Sequence, residues 1–222
     1  MIEAVLFDLD GTLADTAPDL GFALNQQLFR HGKRPLPIKA IRPHASAGSR
    51  GLLMLGFGVT PADPQYEAMR EEYLNLYADN LCRGTVLFSG VGALLDALEE
   101  RGVKWGIVTN KPERFTVPLV ERLGLLQRAA SVVSGDTCPR AKPYPDSLLK
   151  AAADINVAPG NAVYVGDDER DVLAARGAGM SCIIAGYGYH GTGSHPDEWG
   201  ADTIVQRPSE ILNFLRATPF VG

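Results

Sequence analysis

The sequence predicts an α/β protein with a Rossmann-like parallel sheet and an inserted helical cap. Three observations lead to this fold class. Short apolar runs alternate with amphipathic helical patterns, several of the runs end in acidic or polar residues, and one long interval shows helical periodicity without a strand. Alternating strands and helices are typical of a parallel sheet covered by helices on both faces.

Six apolar runs have the length and composition of buried strands. They cover residues 3–7, 103–109, 131–134, 162–165, 181–185 and 202–205. Amphipathic helical patterns lie between them at 92–101, 113–124, 145–155 and 169–179, and several of these end at Gly. The turn-rich stretch 186–200 predicts a loop.

The interval from about Ala17 to Gly84 interrupts this alternation. It contains two helical patterns, near 19–32 and 65–81, and no convincing strand. We therefore predict two domains, an α/β core formed by residues 1–16 and 85–222 and a helical cap formed by residues 17–84. A cap inserted just after the first strand can cover the sheet edge and close a pocket.

The composition is that of an ordinary globular protein and limits the classes of partner. The chain has 222 residues, of which 45% are hydrophobic and 21% charged, and a net charge of -5. This balance gives no general attraction for nucleic acid or for a membrane surface, so neither is an expected partner. No secretory signal pattern and no apolar run of ~18 residues is found, which favours a cytoplasmic protein. We expect a monomer or a weak homodimer.

The strongest chemical signal follows the first strand, where the chain reads VLFDLDGTLAD. This pattern places Asp8 and Asp10 at the carboxyl end of a buried strand, where open α/β sheets bind ligands, and Gly11 permits a sharp turn there. Two crowded carboxylates need a cation or a shared proton. A solvated polar turn is the alternative, whereas an EF-hand is excluded because its sixth position would be Leu13.

A second acidic cluster, VYVGDDERD, spans residues 163–171. Asp167 and Asp171 are four residues apart, which would place them on one face of a helix. Together with the first aspartate of the chain they supply the hard oxygen ligands that Mg²⁺ prefers. For Asp168 and Glu169, a simple role at a helix N-terminus is the favoured interpretation.

Donors and cations follow two further strands. Thr109 and Asn110 end the strand at 103–109, and Lys142 follows the strand at 131–134. A hydroxyl, an amide and an ammonium group can bind a phosphoryl group that the acids alone would repel. Each of these residues is ordinary by itself, so the prediction of a phosphate site depends on several strand ends contributing complementary groups.

In chain order, DLDGTLAD, VTN, AKP and GDDERD resemble the four motifs of the haloacid dehalogenase-like hydrolase superfamily, over almost the whole chain. The resemblance implies that Asp8 is a nucleophile that forms an aspartyl-phosphate. It implies that Asp10 protonates the leaving oxygen and then activates water. It also implies that Thr109 binds the phosphate and that Lys142 stabilises its charge.

The same resemblance implies a Mg²⁺ cofactor. Asp8, Asp167 and the backbone carbonyl of Asp10 are the implied protein ligands, and Asp171 matches a position that orients metal-bound water. Asn110, beside the phosphate-binding threonine, is a further candidate for binding the substrate.

The predicted cap resembles that of superfamily members with a small helical (C1) cap. Residues 47–53 resemble their specificity loop, so Arg50 is a candidate ligand for an anionic group of the substrate and Ser49 a second candidate. Arg50 could equally be a solvent-facing residue at a helix start. No role is assigned to His190, His195 or Trp199.

The resemblance implies that the partner is a small phosphorylated metabolite. 2-Phosphoglycolate is the first expectation, and N-acetylmuramic acid 6-phosphate, a substrate in cell-wall recycling, is the alternative. A phosphomutase similar to β-phosphoglucomutase and a binding module on the same fold are two further hypotheses. The intact pair Asp8 and Asp10 favours an enzyme over a binding module.

Overall fold

The computed structural model describes residues 2–217. Its strands are β1 (Ala4–Phe7), β2 (Ala14–Asp15), β3 (Val86–Leu87), β4 (Lys104–Val108), β5 (Val132–Val133), β6 (Ala162–Gly166), β7 (Ser181–Ala185) and β8 (Thr203–Val205). Its α-helices are α1 (Ala17–Arg30), α2 (Ile38–Ile41), α3 (Gly48–Phe57), α4 (Tyr66–Asp79), α5 (Val91–Glu100), α6 (Glu113–Arg122), α7 (Asp146–Asp154), α8 (Glu169–Ala178) and α9 (Ile211–Ala217). Short 3₁₀ helices include Arg42–Ala47 before α3 and Pro196–Glu198 in the loop after β7.

Six strands form one parallel sheet in the order β5-β4-β1-β6-β7-β8. All six predicted strands are confirmed, each to within one residue at either end. The chain passes from β1 to its neighbour β4 on one side of β1, and the later strand β6 pairs with β1 on its other side. The strand order therefore changes direction at β1, and the carboxyl end of β1 is a topological switch point. Open α/β sheets bind their ligands at such a point.

Both faces of the sheet are buried. In β1, Val5 and Phe7 pack into the hydrophobic core on one face, and Ala4 and Leu6 pack into the core on the other, all without solvent exposure. Burial on both faces explains why the strands read as continuous apolar runs rather than as alternating patterns. The predicted parallel α/β fold is therefore confirmed.

Helices α1–α4 occupy the chain between β2 and β3. The sequence predicted α1 and α4 but neither α3 nor the antiparallel pair β2–β3, in which Ala14 faces Leu87 and Asp15 faces Val86. Two-residue strands are too short to produce a periodic pattern. Helix α3 contains Gly51 and Gly56, and glycine has low helix propensity.

The part of the chain that the structure describes contains no helix with the length and apolar character needed to cross a membrane.

The buried Asp19 carboxylate joins the start of α1 to the chain that returns toward β3. It accepts hydrogen bonds from the backbone N–H groups of Arg83, Gly84 and Thr85 at 3.1, 2.7 and 3.0 Å, and from the Thr85 hydroxyl at 2.6 Å. A carboxylate that accepts several hydrogen bonds compensates for its own burial. Asp19 therefore fixes the two connections between the sheet and the inserted helices against each other.

We expect Asp19→Ala to lower the free energy of unfolding by roughly 2–4 kcal/mol, because it leaves the buried N–H and hydroxyl groups of Thr85 without their acceptor. Urea unfolding measures the difference. Asp79→Ala removes an exposed aspartate near the end of α4 and should change stability by less than about 0.5 kcal/mol. Equal effects of the two substitutions would show that the Asp19 hydrogen bonds do not stabilise the fold.

Candidate active site

The carboxyl ends of β1, β4 and β6 meet beside a cavity of about 320 Å³. The structure brings Asp8, Asp10, Thr109, Asn110, Lys142, Asp171, Ser49 and Arg50 to its walls. Its volume lies at the lower end of the range for small-molecule sites, ~300–1,000 Å³. The strand ends therefore form one wall of the cavity, and helices α1, α3 and α4 form the opposite wall.

Lys142 lies at the centre of the strand-end wall. Its ammonium is 2.7 Å from Asp171 Oδ1 and 3.1 Å from Asp8 Oδ1, and its side chain is only 2% exposed. It also donates to the Tyr164 hydroxyl at 2.7 Å and the Val108 carbonyl at 3.2 Å. Burial opposes the charge, but the carboxylates of Asp171 and Asp8 outweigh it and raise the pKa of Lys142. The lysine is therefore a fixed positive charge beside Asp8.

Asp171 is positioned by the start of α8. Its Oδ2 accepts the backbone N–H groups of Asp167 and Asp168 at 3.0 Å, which completes a capping box with Asp168 as the N-cap. The interpretation of Asp168 as a helix N-terminal residue is confirmed. The idea that Asp167 and Asp171 share a helix face is wrong, because α8 begins only at Glu169. They approach each other because the capping box folds Asp171 back over the turn.

Asp167 is completely buried at the end of β6. It accepts hydrogen bonds from the Thr12 hydroxyl at 3.1 Å, the Tyr189 N–H at 2.8 Å and the Ser46 hydroxyl at 3.2 Å. Burial, followed by the charges of nearby carboxylates, raises its pKa well above the ordinary value. Gly11 lies against it with φ of +84°, and a Cβ there would overlap the Asp167 carboxylate, so only glycine fits.

Asp8 follows β1 directly and shares this acidic environment. Burial raises its pKa from 3.8 to about 6, while the neighbouring Lys142 ammonium partly offsets the increase. Its Oδ1 accepts the Leu9 N–H at 2.8 Å and lies 3.1 Å from Lys142. Asp8 is therefore an anion at neutral pH, with one carboxylate oxygen held by the protein.

Asp10 forms an ion pair that the sequence did not reveal. The ammonium of Lys111 lies 2.9 and 3.0 Å from the two carboxylate oxygens of Asp10. The same ammonium lies 4.8 Å from the centre of the Tyr77 ring on α4. Burial opposes the charge of Lys111, but Asp10 and Tyr77 raise its pKa above the ordinary range. Asp10, which follows the carboxyl end of β1, is thus linked through Lys111 to helix α4.

Thr109 and Asn110 follow β4. Thr109 is buried, and its hydroxyl accepts the Lys111 N–H at 3.2 Å. The Asn110 side chain donates to the Lys142 carbonyl and accepts the Lys142 N–H, both at 2.9 Å. Asn110 therefore holds the backbone of Lys142 in place, which leaves its side-chain amide engaged before any ligand binds.

The inserted helices contribute serine, arginine and aromatic side chains to the cavity rather than acids. Ser49 and Arg50 line the cavity at the start of α3. Arg70 and a set of aromatic residues line it from α4. The Ser46 carbonyl accepts a hydrogen bond from Arg170 of α8 at 2.8 Å, so the two walls of the cavity are in direct contact.

Comparison with known proteins agrees with this geometry. The family model of the haloacid dehalogenase-like hydrolases matches residues 5–185. The chain belongs to this family. It is 44% identical over 208 residues to a phosphoglycolate phosphatase of Xanthomonas campestris, covering 94% of each chain. It is 37% identical over 214 residues to an N-acetylmuramic acid 6-phosphate phosphatase of Pseudomonas aeruginosa, covering 96% of this chain and 95% of the relative.

A solved structure from Lactobacillus delbrueckii, described as a candidate phosphoglycolate phosphatase, shares the fold with a TM-score of 0.85. It is 26% identical to this haloacid dehalogenase-like hydrolase, and the match covers 96% of this chain and 98% of the other.

Three carboxylates of the hydrolase fit a hard divalent cation. Asp8, Asp167 and Asp171 each present an oxygen within 4.8 Å of the others. Mutual repulsion contributes to the raised pKa values of Asp8 and Asp167, and a bound cation would relieve it. Both oxygens of Asp167 and both oxygens of Asp171 already accept hydrogen bonds, so these bonds do not distinguish the two residues as ligands.

Several residues of the hydrolase site are not among those predicted from the sequence, although local patterns mark them. Lys111 was visible directly after Thr109 and Asn110 but received no role. The α4 face of Tyr66, Arg70, Tyr73, Leu74 and Tyr77 follows helical spacing and could have been found from its period.

The residues left without a role lie away from the cavity walls. His190 contacts the Ala185 carbonyl at 2.9 Å, Trp199 is buried and donates to Ser194 at 2.9 Å, and His195 pairs with Asp197 at the surface. They organise the loop after β7.

We expect Asp8→Asn to change the pH dependence of stability in metal-free buffer. The folded state raises the pKa of Asp8 from 3.8 to about 6, so stability decreases as pH rises through this interval. The variant lacks this dependence and should be more stable than the native chain near pH 7, by up to roughly 3 kcal/mol.

Denaturant unfolding at about pH 3.5 and 7, with an exposed Asp79→Asn control, measures the difference. Most of the advantage of Asp8→Asn should disappear at the lower pH, where Asp8 is protonated in the folded state and about two thirds protonated in the unfolded state. An advantage of equal size at both pH values would contradict the raised pKa.

Proposed function

We propose that the chain is a Mg²⁺-dependent phosphatase that hydrolyses a small phosphate monoester through an aspartyl-phosphate on Asp8. The observation that carries this proposal is the arrangement of Asp8 at the cavity wall. Lys142 holds one of its oxygens at 3.1 Å, and Asp10 lies two residues further on at the same cavity. The phosphatase names of the two relatives support it.

The reaction has two steps. In the first, the Asp8 carboxylate attacks phosphorus, the bond from phosphorus to the leaving oxygen breaks, and Asp10 donates a proton to that oxygen. Asp10 enters this step as the carboxylic acid, and so without its ion pair to Lys111. In the second, Asp10 accepts a proton from water, the water oxygen attacks phosphorus, and the bond to Asp8 breaks. Inorganic phosphate leaves, and both carboxylates return to their starting states.

The surrounding residues stabilise the charge that moves. Lys142 and the Thr109 hydroxyl are placed to bind phosphoryl oxygens. A Mg²⁺ ion held by Asp8, Asp167 and the Asp10 carbonyl would supply further positive charge against these oxygens. Carboxylate and carbonyl oxygens are the ligands that suit Mg²⁺.

In this proposal, residues 17–84 form a cap domain, and residues 1–16 and 85–222 form the core domain. The cap covers the phosphate site and carries Ser49 and Arg50 toward the leaving group. The enzyme of this proposal is cytoplasmic, and it is a monomer or a weak homodimer.

Two substrates fit the proposal. 2-Phosphoglycolate is the first, and its carboxylate would bind Arg50. N-Acetylmuramic acid 6-phosphate is the second, and the tyrosines of α4 line the part of the cavity that its sugar ring would occupy. A phosphomutase must protect its intermediate from water, so rapid phosphate release would exclude that alternative.

We expect Asp8→Asn to abolish phosphate release from both esters, because it removes the nucleophile. The measurement is kcat/KM with Mg²⁺ for 2-phosphoglycolate and N-acetylmuramic acid 6-phosphate, with Asp79→Asn as the control for an exposed aspartate. A preference of ~100-fold corresponds to ~2.7 kcal/mol of differential transition-state binding and would identify the substrate. Turnover by Asp8→Asn at the native rate would refute the mechanism.

Binding of Mg²⁺ should be visible without turnover. At ~100 times its Kd, Mg²⁺ should stabilise the native chain by about 2.7 kcal/mol, and this gain should be lost in Asp167→Asn. Thermal unfolding with Mg²⁺ or with EDTA measures it. Stabilisation of both proteins to the same extent would remove Asp167 from the proposed ligand set.

A further inference from the structure

The five cationic side chains that line the cavity fall into two groups. Lys111, Lys142 and Arg170 belong to the strand-end wall, and each forms a close ion pair with an aspartate, at 2.9, 2.7 and 2.8 Å. Arg50 and Arg70 belong to the opposite wall. The three paired cations lie at the phosphate-binding end of the cavity. Arg50 and Arg70 are available to bind another group of the ligand.

The two arginines lack a strong partner among the residues that the structure describes. Arg50 forms neither a hydrogen bond nor an ion pair with any of them. Arg70 lies 3.7 Å from Glu67, whose side chain is 80% exposed. A loose surface pair of this kind contributes little. Arg70 is half-buried and lines the cavity, where desolvation strengthens its attraction for an anion.

Helix α4 shows how far Arg70 lies from the phosphate-binding end of the cavity. Tyr77 contacts Lys111, which pairs with Asp10, so this end of the helix lies beside the reacting groups. Arg70 lies seven residues earlier on the same face, about 10 Å along the axis. Tyr73 lies between them and is engaged through its hydroxyl with the Leu20 carbonyl at 3.2 Å, so its ring is fixed.

We infer that Arg70 binds a second anionic group of the substrate, a carboxylate on the side of the leaving group that is far from the phosphate. This inference rests on the proposed phosphatase function and narrows its substrate class. In a two-carbon phosphorylated acid, three bonds of about 1.5 Å separate phosphorus from the carboxylate carbon, which is less than half of the ~10 Å between the Arg70 and Tyr77 backbones. A sugar-sized body that carries a carboxylate spans it.

Two matched pairs of esters test this inference. N-Acetylmuramic acid 6-phosphate and N-acetylglucosamine 6-phosphate differ in the lactyl carboxylate, and 2-phosphoglycolate and ethyl phosphate differ in the short carboxylate. Calorimetry measures the Kd of each of the four esters for three proteins that all carry Asp8→Asn. One protein keeps Arg70, the second also carries Arg70→Met, and the third also carries Arg70→Lys. Arg101→Met, an exposed arginine after α5, is the control.

We expect Arg70→Met to weaken binding of N-acetylmuramic acid 6-phosphate by roughly 10- to 100-fold and to leave the other three esters unchanged. Arg70→Lys should restore part of the loss, because it keeps the charge but not the planar fork. Arg101→Met should change none of the four.

An equal loss for both sugar phosphates would overturn the inference, since Arg70 would then act through the phosphate or the fold. No loss for any ester, or a loss confined to 2-phosphoglycolate, would also overturn it. The proposed function is tested separately by phosphate release from the same esters by the native chain. If the proposed function is wrong, none of the four esters will release phosphate in an Asp8-dependent way. The Kd values would still decide the role of Arg70.

Discussion

The buried ammonium of Lys142 is the interaction on which the rest of the site depends. Burying a charge costs several kcal/mol unless it is paired and hydrogen-bonded. Lys142 meets this requirement with Asp8, Asp171, Tyr164 and Val108, which come from β1, α8, β6 and β4. One side chain thus joins three neighbouring strands and a helix, and places a positive charge beside Asp8.

The two walls of the cavity divide the chemistry between them. The sheet supplies charged groups that are already paired and rigid, which suits groups that must act on a phosphate in one orientation. The inserted helices supply aromatic surface and arginines that have room for a ligand. Contacts between the walls, from Tyr77 to Lys111 and from Ser46 to Asp167 and Arg170, place the recognition surface against the acids.

This division explains why family membership identifies the reaction class more readily than the substrate. Relatives with two different substrate names match the chain over nearly its whole length, and the family model matches residues 5–185. The groups proposed to distinguish substrates, Arg50 and Arg70, lie on the helical wall, away from Asp8 and Lys142.

The sequence alone determined the six sheet strands, because burial on both faces requires continuous apolar runs that are visible locally. It also placed Asp8, Asp10 and Lys142 at strand ends, although their catalytic roles remain predictions. Only the tertiary structure paired Asp10 with Lys111, 101 residues away, and aimed Arg70 into the cavity. These contacts depend on which strands are neighbours and on how α4 packs, and no local pattern of residues records such long-range choices.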